Sequence, residues 1–316
     1  MSIQQQPLVS VGIPTYNRPE SLRRALKSII KQTYQNLEII VSDNCSPETE
    51  TQKIVQEFMS NDSRIQYFRQ ETNLGLFYNT KFVFDVSHGE YFAWLCDDDQ
   101  RYPEFIEACL EKFQQVNFSS ELLLVNTFSE LIDPVEGKVL AVDQGCTTVD
   151  LSVSQRYQKY ISSIYEEQAA VGDLLYGVIK REALSQAMAE QPNIIGWDHI
   201  LLAHLALAGE FYTIPKKLMR SASGGISSVK SSSRREKDIK IAQSQKIDNS
   251  FVINKPGWVR VTYLRRKIWN SFNLSPTQKL QLIAWSDWYH LNFYALRKIK
   301  NLFTKFDKNY QALLNS

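Results

Sequence analysis

The chain has 316 residues, 43% apolar and 12% aromatic, with 36 Lys+Arg against 34 Asp+Glu and a net charge of +2. That composition excludes a disordered or collagen-like chain and suits one large globular domain, with or without an accessory segment. Met1 to Pro7 lacks the features of a secretion signal and no apolar run approaches a membrane span. Cys45, Cys96, Cys109 and Cys146 show neither CxxC pairing nor metal-ligand spacing, so a cytoplasmic protein with free thiols is expected.

Leu8 to Ile13 reads as a strand ending at Pro14, and Thr15-Tyr16-Asn17-Arg18 follows as a polar loop. Asn17 and Glu20 have capping-box spacing ahead of a helix carrying Leu22, Ala25, Leu26, Ile29 and Ile30. Leu37 to Val41 is a second strand that stops at Ser42-Asp43-Asn44, before a helix with Ile54, Val55 and Phe58. Arg64 to Arg69 is a third, followed by Asn73-Leu74-Gly75-Leu76 and a helix through Phe82, Val83 and Val86. Alternating strands and helices predict an α/β fold with a mostly parallel sheet flanked by helices, whose ligands bind beyond the carboxyl ends of the strands.

The fourth strand, Glu90 to Leu95, has five apolar or aromatic residues in a row and runs into Asp97, Asp98 and Asp99. Three carboxylates repel unless a cation or several donors neutralise them, so a divalent metal with oxygen ligands is predicted. The competing reading is an acidic turn that caps the helix beginning near Pro103.

Val11 to Arg18, Glu38 to Asn44, Asn73-Leu74-Gly75 and Asp97-Asp98-Asp99, in that order and spacing, resemble the motifs of the family 2 glycosyltransferases. The resemblance covers about residues 8 to 225. It implies a GT-A fold, a nucleotide-diphosphate sugar donor of UDP, GDP or dTDP type, a divalent metal (Mn2+ or Mg2+) and inversion at the anomeric carbon. By matching position, Pro14, Thr15, Tyr16 and Arg18 would line the nucleotide pocket with Asn44, Asn73 and Gly75, and Asp43 would accept a hydrogen bond from the base. Asp97 to Asp99 matches the DxD element. Asp97 is expected near the ribose or the metal, Asp98 on the donor and Asp99 on the metal. Many members carry Asp where this chain has Cys96.

Beyond the cluster, Pro103 to Val116 reads as a helix, Leu122 to Val125 and Lys138 to Val142 as strands, Ser154 to Tyr165 as a helix and Gly172 to Lys180 as strand or acceptor-side loop. Ile194 to His199 enters a helix at Ile200 to Ala208. Asp198 by spacing is a helix cap; by the resemblance it matches the general base, with Trp197 replacing the more common Glu. His204 reads as structural. The strand at Phe211 to Pro215 is not followed by a His, and Arg220 is placed toward the diphosphate.

Residues 1–229 hold 19 Lys+Arg and 29 Asp+Glu, and residues 230–316 hold 17 and 5, giving −10 and +12. With the Ser- and Gly-rich stretch Ser221 to Ser233, this marks a boundary near residue 229. It divides a glycosyltransferase domain (nucleotide half about 1–100, acceptor half about 101–229) from a C-terminal α-helical extension. Trp258 to Phe272 and a second helix from Ser275-Pro276-Thr277-Gln278 carry apolar stripes, the latter continuing through Ala295, Ile299 and Leu302. Packing on the protein, a homodimer seam, and contact with anionic lipid at the inner face of the cell membrane are the competing fates of these stripes. No motif suggests nucleic acid. A glycan or lipid-linked acceptor is expected. The alternatives are a non-catalytic nucleotide-sugar or glycan-binding scaffold and a sugar nucleotidyltransferase, the latter opposed by the missing Gly-rich loop at Gly12-Ile13-Pro14-Thr15.

Overall fold

A computed structural model of the chain describes residues 6–115, 121–165, 171–223 and 234–292. The first half alternates as expected: β1 (Val9–Thr15), α1 (Pro19–Ile29), β2 (Leu37–Asp43), α2 (Glu50–Met59), β3 (Ile65–Arg69), α3 (Leu76–Asp85) and β4 (Tyr91–Trp94). β2 and β4 are buried along their whole length and β1 at every residue but Pro14, which explains their continuous apolar runs. Pro14 lies past the last β1–β4 pair, Gly12 with Trp94, so its missing N–H breaks no bond on that side. The expected capping box does not form. Pro19 takes the first helical position after Arg18, no side chain caps the helix, and Asn17 turns left-handed (φ 53°) to donate its N–H to Ser46 Oγ at 2.8 Å.

The second half adds β5 (Gln100–Arg101), α4 (Phe105–Gln114), β6 (Leu122–Ile132), β7 (Val139–Asp143), α5 (Val153–Tyr165), a 3-10 turn (Val171–Tyr176), β8 (Val178–Lys180), α6 (Arg181–Ala189), α7 (Trp197–Ala208) and β9 (Glu210–Ala222). The sheet runs β3-β2-β1-β4-β8-β6-β9-β5, with β7 paired to β6. β1 to β4 pair in parallel, β6 and β9 pair in parallel, and β8 runs antiparallel to both β4 and β6, joining the two blocks. The winding reverses between β1 and β4, so the crevice beyond their carboxyl ends is the topological switch point where such sheets take ligands. β9 continues well past Pro215 because the pairing jumps from Ile214–Thr127 to Lys217–Phe128, bulging Pro215 and Lys216 out of the ladder.

α7 is apolar on almost every side and is packed by α5, α6 and α10 (Pro256–Asn270). The C-terminal extension therefore shares the main core: Val259, Leu264, Ile268, Leu274 and Leu282 cluster with Ile200, Leu201 and Leu205. It also includes α8 (Arg234–Ser244), α9 (Ser250–Asn254) and α11 over residues 276–292. At the start of α11 the expected reciprocal cap is present, with Ser275 N–H donating to Gln278 Oε1 (2.9 Å) and Gln278 N–H to Ser275 Oγ (3.3 Å). The boundary near residue 229 and the stripe through Ala295, Ile299 and Leu302 lie outside the described residues.

Candidate functional site

The loops after β1 and β4 meet although about eighty residues separate them. Thr15 Oγ1 donates to Asp97 Oδ2 at 2.8 Å, and Arg18 Nη1 reaches Asp97 Oδ1 at 3.3 Å and Asp98 Oδ2 at 2.6 Å. Burial pushes the Asp97 carboxyl up to about 6 against the pull of Arg18, with Asp98 adding repulsion. Pro14, near the end of β1, sets the approach to this loop, and Tyr16 projects an exposed ring from it.

Asp43, at the end of β2, has no exposed surface, and both of its oxygens are engaged. Oδ1 accepts from Ser46 N–H (2.9 Å) and Ser46 Oγ (2.6 Å), and Oδ2 from Tyr67 OH (2.9 Å) and Arg69 Nη1 (3.1 Å). Burial and this contact with Asp43 push the Tyr67 hydroxyl up to about 12. The sequence offered Asp43 as a lone acceptor for a base; the structure makes it the centre of a small polar wall. Asn44 and Asn73 brace each other: Asn44 Nδ2 donates to Asn73 Oδ1 (3.1 Å), and the N–H groups of Leu74 and Gly75 donate to Asn44 Oδ1 (2.7 Å) and Asn73 Oδ1 (2.9 Å).

The C-terminal extension closes on these loops. Lys246 Nζ donates to Asn73 O, and Asn193 Nδ2 donates to Gln245 O at 3.0 Å, tying the Asn73 loop to the segment ahead of α7. Gly75 has φ 84°, and a Cβ there would meet the Gln245 carbonyl carbon and oxygen at 2.9 Å. Gly75→Ala adds the left-handed penalty of about 1–2 kcal/mol to a collision with backbone that cannot rotate away. Urea unfolding should show the variant about 2–3 kcal/mol less stable; a change under about 0.5 kcal/mol would mean that the extension does not press on this loop.

Asp99 is buried and accepts from the Ala222 N–H at 3.1 Å. Burial pushes its carboxyl well above the usual range; Arg101 pulls it back, and Asp98 and Asp173 push it further. Arg101 is itself buried, over the Phe105 ring at 5.1 Å, and reaches the Tyr176 and Trp94 carbonyls at 3.3 and 3.5 Å. Tyr176 ends the 3-10 turn. It is hydrogen-bonded to Cys96, and the charges of Cys96, Asp99 and Asp198, together with burial, hold its hydroxyl well above its ordinary range. Asp198 lies in the first turn of α7 after Gly196, and its charge acts on the Tyr176 hydroxyl.

Of the two tentative acceptor-side residues, Trp197 is placed elsewhere than expected. The Trp197 ring is in the core, edge-on to Phe77 at 5.2 Å, because α7 is buried along that side. Arg220 is stacked on Tyr102 at 4.9 Å and bonded to Glu130 at 3.3 Å, on the strand pair that sets it opposite Gln100. Burial and the charge of Lys267, against the pull of Glu190, lower His204 to about 4, in agreement with a structural role.

Sequence reasoning missed Arg69, Tyr67, Asn79, Arg101 and Tyr176. Asn79 left a signal: it is a polar residue on the buried side of α3, where it accepts from Ser42 Oγ (2.6 Å) and donates to Ser42 O (3.0 Å), fixing the end of β2.

Residues 10–126, from β1 into β6, match the family described as Glycosyl transferase family 2. The chain carries a family 2 glycosyl transferase domain. Among relatives, the Campylobacter jejuni protein named GalNAc(5)-diNAcBac-PP-undecaprenol beta-1,3-glucosyltransferase is 37% identical over 107 residues, 34% of this chain and 34% of that one. Chondroitin synthase of Escherichia coli is 31% identical over 114 residues, 36% of this chain and 16% of that one. Such matches span well under half of the relatives' own lengths. Of solved structures, S. aureus TarS 1-349 in complex with UDP-GlcNAc superposes with a TM-score of 0.62 at 18% identity, over 90% of this chain and 72% of that chain. Its complex with UDP gives 0.58 at 17% identity over 87% and 69%. At that identity the likeness is one of fold, a GT-A arrangement with a C-terminal helical region.

Among the described residues, no group of three or more His, Cys, Asp or Glu side chains is placed to hold a metal. Asp97 already has both oxygens on Thr15 and Arg18, which leaves Asp99 as the carboxylate that a cation would relieve. This donor set fits Mg2+ or Mn2+ in the mode where one or two carboxylates hold the ion and substrate phosphates and water complete its shell.

Proposed function

We propose that this chain transfers a sugar from a nucleoside-diphosphate sugar to a hydroxyl of a glycan or lipid-linked saccharide, with inversion. The observation that carries the reading is the meeting of Thr15 and Arg18 with Asp97 and Asp98 at the switch point. The domain's family and the likeness to a UDP-sugar-binding fold support it.

Arg18, half-exposed and clamped by two carboxylates, presents a fixed cation toward the donor's diphosphate. Tyr16 offers a ring face to the base. Asp43 acts on the base side through Arg69 and Tyr67, which it holds in place. Asn44, Asn73 and Gly75 shape the wall next to them. Asp99 would hold a divalent ion, which when bound offsets charge growing on the leaving diphosphate. The Asp198 carboxylate accepts the proton of the acceptor hydroxyl as that oxygen forms its bond to the anomeric carbon. The carbon–oxygen bond to the diphosphate breaks, and its electron pair leaves with the nucleotide. Attack from the face opposite the leaving group inverts the centre.

A thermal-shift panel with UDP, GDP, dTDP and CDP, each with and without manganese, tests the reading. At one hundred times its dissociation constant, a ligand of the folded state adds about 2.7 kcal/mol. One nucleotide should therefore raise the midpoint by roughly 4–8 °C, and more with manganese. No shift with any nucleotide, in folded protein, would remove the donor pocket from the proposal.

A further inference from the structure

The six tryptophans divide by environment. Trp94 and Trp197 are in the core and Trp285 is half-buried, whereas Trp258, Trp269 and Trp288 are 63%, 55% and 61% exposed, all on the C-terminal helices. Their placement is ordered. On α10, Trp258, Thr262, Arg265 and Trp269 recur at spacings of four, three and four residues, the side opposite Leu264, Lys267 and Ile268, which are buried. On α11, Leu280, Ala284, Trp288 and Leu291 form a second exposed stripe, opposite the buried Leu282, Ser286 and His290. Arg265 Nε and Nη2 bind Asp287 Oδ1 and Oδ2 at 2.8 and 2.9 Å, and these two residues border their respective stripes. The ion pair thus sits in the groove between the helices, with one aromatic stripe on either side, both turned outward as one face.

Residues 250–292 contain six Lys+Arg and a single acidic residue, Asp287, which Arg265 neutralises; of the other cations, Lys267 is buried and Arg266 lies 3.7 Å from Glu190, while Lys255, three residues before Trp258, is exposed beside the stripe. A homodimer built on this surface by two-fold symmetry would set like-charged faces together, which disfavours a second copy as the occupant. Exposed tryptophans beside cations match an anionic bilayer, where indole settles at the headgroup level and Lys or Arg meets lipid phosphate.

We propose that the outward face of α10 and α11, through Trp258, Trp269 and Trp288 with Lys255, docks on an anionic phospholipid surface. The opposite side of α10 reaches the candidate site. Arg260, two residues after Trp258, lies against Gly196, where a Cβ would come within 2.8 Å of its Cδ and Nη1, and Gly196 opens the helix that carries Asp198. Docking would hold the crevice close to saccharides carried on lipid, a consequence that rests on the transfer reading; the docking itself does not.

The test is co-sedimentation of the full chain with vesicles of phosphatidylcholine alone and of phosphatidylcholine with 30% phosphatidylglycerol, roughly the anionic content that draws basic segments to a surface. Wild type should pellet with the anionic vesicles, stay in solution with the neutral ones, and be released by high salt. The triple variant W258S/W269S/W288S, altered only at exposed positions, should bind more than about tenfold more weakly with its melting midpoint and nucleotide-induced shift unchanged. Equal binding of both vesicle types, no binding to either, or undiminished binding of the triple variant overturns the proposal. So does a dimer in sedimentation analysis that the triple variant dissociates, since the face would then be a seam between copies. Loss of sugar transfer with vesicle binding intact would count against the enzymatic reading only.

Discussion

Asp198→Asn is expected to lower kcat for sugar transfer by about 10²- to 10⁴-fold, the contribution of a positioned general base, while leaving the nucleotide-induced thermal shift intact. The change is nearly isosteric. It falls in the first turn of α7, where Gly196 precedes the helix and no side chain caps it, so Asp198 is not needed as the cap that its position in sequence suggests. What the amide lacks is the ability to take a proton. The donor side of the crevice, made by Thr15, Arg18, Asp97 and Asp98, contains none of α7, so nucleotide binding serves as an internal control. Turnover within a few-fold of wild type would remove Asp198 from the chemistry and direct attention to Asp173. That carboxylate accepts from Ser221 Oγ at 2.9 Å and acts on Asp99 from the 3-10 turn.

The N-terminal part of the chain was legible because its code is local. β1, β2 and β4 are buried on both faces and so read as apolar runs, and each ends in a polar loop whose residue types announce it. The second half was harder because its long strands are polar. β6 and β9 carry Asn126, Thr127, Ser129 and Glu130 against Thr213, Arg220 and Ser221, residues that pair across the sheet, as in Asn126–Thr213 and Ser129–Ser221. No periodicity marks such strands; their partners do, and those lie about ninety residues away. α6 was missed because it begins directly at the end of β8 with no loop to signal a change. In the site itself, residue types identified Thr15, Arg18, Asp97 and Asp99, but not what neutralises them. Arg69 on Asp43 and Arg101 beside Asp99 are visible only once the strands are assembled. Trp197 failed for a related reason: a tryptophan beside a catalytic candidate invites a substrate role, yet α7 is apolar all round and its tryptophan serves the core.

Asp99→Asn is expected to abolish transfer and, at the same time, to stabilise the ligand-free protein. In the native state the Asp99 carboxyl is buried, is pushed upward by Asp98 and Asp173, and has only Arg101 and the Ala222 N–H to favour its charge. In the unfolded chain an Asp ionises near pH 3.9. Because its native pKa is raised, the native state holds a proton that the unfolded state has already lost, so wild-type stability falls as pH rises from about 4. Asp97, pushed up to about 6, contributes to the same loss between about 4 and 6 in both proteins. An amide at residue 99 carries no charge to desolvate and keeps an oxygen for the Ala222 N–H. Urea unfolding without metal should therefore find the variant more stable by about 1–3 kcal/mol at pH 7.5, the range for relieving a poorly satisfied buried group. The advantage should shrink toward pH 4, where wild-type Asp99 is protonated. Manganese should reverse the order, stabilising wild type in the presence of nucleotide and leaving the variant unmoved. A variant less stable than wild type at pH 7.5, with a difference independent of pH, would show that Asp99 is a satisfied structural carboxylate and not one whose buried charge a cation offsets.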